Sequence, residues 1–131
     1  MIANADHENL NRDQQVALSN ARLGHYLTVM GIAFAVTAVN VFLIFSFANT
    51  APASAKLALA LSVFNISCFG SLAGRSILQE IKAINQDYAE AKLGTHHARY
   101  VAEIPIDLFA ALTVGLLVLI GLVQLWMLFT I

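Results

Sequence analysis

Charge is what this chain lacks most. Aspartate, glutamate, lysine and arginine make up 11% of its 131 residues, where soluble domains carry about 25%. Seven Lys+Arg and eight Asp+Glu leave a net charge of −1. No basic cluster is available to neutralise a phosphate backbone, which argues against a nucleic-acid partner. Cysteine is nearly absent too. Cys68 stands alone, so neither a disulfide framework nor a paired-thiol metal site can form. Its place inside an apolar stretch predicts a buried, inert thiol, since reactive thiols sit in electropositive, exposed surroundings.

What fills the chain instead is apolar: 59% of residues are hydrophobic. Three stretches, 27–48, 57–78 and 106–131, approach or exceed the roughly 18–20 residues that cross a bilayer. The sequence therefore predicts an all-α membrane protein with three transmembrane helices. The second is extended into the cytosol, and a polar helix precedes the first. The expected division is an N-terminal helix over 1–24, helix 1 over 25–48 and an external turn over 49–55. Helix 2 follows over 56–78, a cytosolic extension and loop over 79–104, and helix 3 over 105–131. Ala53-Ser54-Ala55 looks like a signal-peptidase site, but the apolar run before it is about twice a normal signal core. That run reads as a retained span.

The N-terminal segment carries Asn9 and Asn11, either of which suits a helix cap. Its weak stripe (Leu10, Val16, Leu18, Leu23) either lies at the membrane surface or prolongs helix 1. His25 and Tyr26 suit the interface, where amphipathic rings settle. Pro52 breaks the chain between helices 1 and 2, so these two run antiparallel. Orientation follows from Lys and Arg. Arg12, Arg22, Arg75, Lys82, Lys92 and Arg99 fall on one side and Lys56 alone on the other, which predicts a cytosolic N-terminus, an outer C-terminus and residence in a bacterial inner membrane.

Within the spans the small and polar residues are the informative ones, because apolar contacts add little to helix association in lipid. Asn40 and Asn65 each lie about eight residues from the outer end, as an interhelical amide pair would require. On that register Ala33 faces Leu72 and Thr37 faces Phe69. The opposite faces carry small residues: Val63, Ser67, Gly70, Ser71 and Gly74 on helix 2, and Thr28, Gly31, Ala35 and Ala38 on helix 1. Helix 3 presents Asp107, Ala110, Ala111, Val114 and Gly121 on one side, with Leu112, Leu116, Leu119, Ile120 and Val123 on the other. Either all small faces merge in one monomer core, or one is left over for a second protomer or another subunit.

Chemistry is sparse. No ionisable residue falls at mid-span, which argues against proton relays, ion-coupled transport and voltage sensing, and against bis-histidine haem. No nucleophile–base set or phosphate loop is recognisable, so neither enzymatic activity nor a cofactor is expected. His96 and His97, with Glu103, His25 or His7, lack the i, i+4 spacing of a helical zinc site and read as a solvated loop. Arg75 and Asp107 are placed to bridge at the inner boundary; the alternatives are headgroup contact for Arg75 and helix capping for Asp107. Below them Ile77, Ile81, Ile84, Tyr88 and Ala91 form a cytosolic stripe at coiled-coil spacing, facing either the chain's own N-terminal helix or a neighbour's copy.

Two function classes follow. One is a structural or accessory subunit, or homo-oligomer, whose partners are the bilayer and other membrane helices. The other is a homo-oligomeric pore lined by Asn, Ser and Thr of helices 1 and 2. A coupling role for the cytosolic helices is a third, weaker option.

Overall fold

The computed structural model describes residues 11–92 and 94–131. The expectations placed on His7, Asn9 and Leu10 lie outside these residues. Among the described residues four helices account for the regular structure: α1 (Arg12–Phe47), α2 (Ala53–Ala91), α3 (His96–Glu103) and α4 (Ile106–Thr130). The three long ones are long and apolar enough to cross a membrane.

α1 begins where a cap allows it. Asn11 Oδ1 accepts from the Gln14 backbone N–H at 2.9 Å, and Gln14 Oε1 accepts from the Asn11 N–H at 3.0 Å. This capping box satisfies two donors that a helix start leaves unpaired. From there α1 continues without a break through residues 24 and 25. Residues 12–24 are thus the first part of α1, not a separate helix.

The chain reverses after Ala48. Pro52 occupies the N-cap of α2, where its missing N–H costs nothing. α2 then runs 39 residues, about 58 Å at 1.5 Å per residue. It ends before Gly94, whose φ of 89° is left-handed backbone that favours glycine. Thr95 then caps α3, its Oγ1 accepting from the Ala98 N–H at 3.2 Å. His96 and His97 therefore lie in a helix rather than the expected loop.

α2 is the middle of the bundle, packed along its length on both α1 and α4, while α1 and α4 touch little. Small residues make this possible. A Cβ on Gly70 would stand 3.1 Å from Leu117 Cδ1 of α4 and 3.4 Å from Ala33 Cβ of α1. On Gly74 it would meet Met30 Cε at 2.8 Å and Thr113 Cγ2 at 3.1 Å. Gly121 of α4 lies directly over the Ser67 side chain.

Apolar layers stack along this axis. Ile44, Ala48 and Leu128 close the end near Pro52, and Met30, Ala33 and Leu117 fill the middle. Leu78, Ile81, Ile106 and Ala110 follow where α4 begins. Beyond α4, Tyr88 packs on Ala98 and Val101 of α3. The Ile81, Ile84 and Tyr88 file is buried within the chain, with Ile77 half-buried. It meets α3 and the start of α4, whereas Val16 and Leu23 of α1 stay exposed.

Candidate functional site

The richest polar chemistry lies where α1, α2 and α3 meet. Gln15, 2% exposed, donates from Nε2 to Asn85 Oδ1 at 2.7 Å and to Ser19 Oγ at 3.2 Å. Ser19 Oγ donates to the same Asn85 oxygen at 3.2 Å. Gln15 Oε1 lies 3.0 Å from His97 Nε2, so the imidazole donates there in its Nε2–H tautomer. The His97 ring meets the edge of Tyr88, with centroids 5.3 Å apart. A cavity of about 290 Å³ adjoins the cluster, lined by Leu78, Ile81 and Ile104 among others. Arg22 and Glu80, 3.0 Å apart, pair on the surface nearby. Buried amides are tolerated when their groups are paired, and here each of the three helices supplies a partner.

Further along, polar bonds cross the bundle singly. Tyr26 Oη and Thr113 Oγ1 are 2.6 Å apart, joining α1 to α4. Gln124 of α4 donates to the Thr37 carbonyl of α1 at 3.0 Å. Ser62 of α2 donates to Asn40 Oδ1 of α1 at 3.2 Å. Among the described residues three buried atoms have no protein partner: Asn40 Nδ2, Gln124 Oε1 and Ser71 Oγ. An open groove of about 470 Å³ runs from Asn40 and Ser62 to Lys56 and Ala51.

Set against the sequence, the expected amide pair does not form. Asn40 is buried, but its partner is Ser62; Asn65 is exposed. Leu72 and Phe69, expected opposite Ala33 and Thr37, are 70% and 69% exposed. The physical reason is rotation. α2 has two neighbours, so the face that turns inward is the one that lets both approach closely. That is the Val63, Gly70, Ser71 and Gly74 face, buried, with Ser67 half-buried beside it. The small residues of α2 are thus filled by the chain's own helices. The small residues of α1 are not: Gly31, Ala35 and Ala38 are exposed, and nothing lies within 4 Å of a Cβ built on Gly31.

The boundary pair also differs. Asp107 accepts from Lys82 Nζ at 2.5 Å and from Gln79 Nε2 at 3.1 Å. Arg75 is exposed and makes no such bond. Lys82 lies about two turns of α2 beyond Arg75 and takes its place as the partner of Asp107. Cys68 is exposed rather than buried, on the α2 surface turned from the core.

Sequence reasoning assigned Tyr26 only to the interface and overlooked Gln15, Asn85, Thr113 and Gln124. One signal was present for the last two. Ala110, Thr113, Leu117, Gly121, Gln124 and Leu128, all buried, step by three and four along a helix, the period of a core stripe. Among the described residues no three His, Cys, Asp or Glu converge as metal ligands. Comparison with protein-family models, curated proteins and solved structures gives no match.

Proposed function

We propose that this is a small integral membrane protein that works by helix packing in the bilayer, as an accessory or structural subunit or as a homo-oligomer. The observation that carries the reading is Asn65. It projects from the outer surface of α2, exposed, in the middle of an apolar helix. An amide facing hydrocarbon lacks the hydrogen bonds water would give it, at a cost of several kcal/mol. A neighbouring helix that bonds it removes that cost. A coupling role gains no comparable support.

The placement of charge supports an N-terminus in the cytosol. α1 and α2 both exceed the roughly 20 residues a bilayer needs. Their surplus, with α3, carries Arg12, Arg22, Lys82, Lys92 and Arg99. Lys56 stands alone at the Pro52 end, as expected of an outer loop in a bacterial inner membrane.

A pore lined by helices 1 and 2 is favoured less. It requires Asn40 and Thr37 to face water. Asn40 is 3% exposed and tied to Ser62, and the Thr37 carbonyl accepts from Gln124. Extraction in mild detergent tests the choice. The expected result is a particle heavier than one chain, with no ion flux after reconstitution into liposomes. A strictly monomeric particle removes the proposal, and sustained flux replaces it with the pore.

A further inference from the structure

Asn65 lies on the line of α2 furthest from the core. At about 100° per residue it stands opposite Gly74, which is buried between Met30 and Thr113. Around it the surface is apolar: Leu61, Phe69 and Leu72 are all exposed, and Cys68 is exposed one turn along. No hydrogen bond ties Asn65 to another described residue, and Ser62, one turn away, donates its hydroxyl to Asn40. By helix rise Asn65 sits about 14 Å from Lys56 and about 15 Å from Arg75, the middle of a hydrocarbon core about 30 Å thick.

We infer that α2 carries a homodimer interface in which Asn65 bonds Asn65 of a second, parallel copy. This rests on the membrane reading above. The partner follows from the chemistry of the amide. It offers both a donor and an acceptor, so a two-fold copy satisfies each group of one amide with the other. Copies inserted in the same direction place every Asn65 at one depth without further adjustment. A partner carrying only donors or only acceptors leaves half of the amide unpaired.

The surrounding spacing fits such a contact. With Asn65 at an a position, Ala58 and Leu72 are the neighbouring a residues and Leu61 and Cys68 the d residues. A single asparagine at a among apolar positions fixes register and copy number in paired helices. The contact is centred on Asn65 and opens toward Arg75, where like charges repel.

Cys68, the chain's single cysteine, reports the contact without engineering, because d residues of parallel helices face each other. The full chain in membrane vesicles is treated with copper phenanthroline and run without reductant. A disulfide-linked band at twice the chain mass is expected. Asn65→Leu lowers its yield about tenfold, on the scale of one interhelical amide bond, and Asn65→Gln retains it. Leu119→Cys in a Cys68→Ser background, on the exposed face of α4, gives no band. Equal yield from Asn65→Leu, or an equal band from Leu119→Cys, overturns the interface. Cross-linking of Cys68 only to a polypeptide of another mass overturns the second copy but leaves the accessory-subunit reading standing. No cross-link and a monomeric particle overturn both.

Discussion

Gly121→Leu separates α2 from α4 and is the most damaging single change expected in the bundle. A Cβ at that position already collides with the Ser67 side chain and approaches Val63 Cγ1 at 3.9 Å. Leucine adds three further carbons where none fit. Overpacking a close-packed site costs about 1–3 kcal/mol, and more where backbones must part. A loss above about 3 kcal/mol is expected, and Gln124 and Leu128, carried on the same face of α4, lose their seats with it. Gly115→Leu is the matched control. It lies on the same helix, and nothing stands within 4 Å of its Cβ, so its stability stays within about 0.5 kcal/mol of the parent. Unfolding of both variants by denaturant in detergent, followed by near-ultraviolet circular dichroism, separates the cases. Equal midpoints for the two would refute the packing described for α2 and α4.

The same packing applies at Gly74. A leucine at Gly74 strikes Met30 and Thr113 of its own chain. It is expected to destabilise the protomer itself, so its effect on assembly is not read separately.

Gln15→Leu is expected to be the most costly loss of a hydrogen-bonding group. Its amide serves Asn85, Ser19 and His97 at once, and it is the link that holds α3 against α1. Leucine leaves the His97 Nε2–H without a partner and removes the shorter of the two bonds to Asn85. A buried group left unpaired costs about 1–3 kcal/mol; Asn85 Oδ1 keeps Ser19 and His97 is half-buried, so a loss of about 1–3 kcal/mol is expected. The loss is local. α3 detaches while the α1, α2 and α4 layers persist, and limited proteolysis around Gly94 and Thr95 accelerates about tenfold or more. Replacing Asn85 by leucine and His97 by phenylalanine as well restores part of the protection, because removing all partners is far less costly than orphaning some. Unchanged proteolysis in the single variant would show that α3 is held by Tyr88, Ala98 and Val101 alone.

The contrast between these two sites shows what a sequence exposes. Gly70, Gly74 and Gly121 stand out in the apolar runs, and a stripe of small residues has few uses besides close approach. Gln15, Asn85 and His97 come from three separated segments, each of which reads as solvated surface. Only the return of α3 over the ends of α1 and α2 excludes water from them. Asn40 and Asn65 fall between these extremes. Their depth follows from counting residues back from Pro52, whereas their partners depend on the rotation of α2 about its own axis, which no count supplies.

By itself the sequence determined the three long apolar helices and their order, but not α3. Hydrophobic length, Asn11, Pro52, Gly94 and Pro105 are local signals, each acting within a turn or two of its own position. It also determined the antiparallel hairpin of α1 and α2. Tertiary structure alone decided which face of each helix lies inside. α2 must serve two neighbours, so its small residues turned inward to let both backbones approach, and Asn65 was carried outward by the same rotation. That single rotation buried the glycine file in the protomer and left an amide on the outside of an apolar helix.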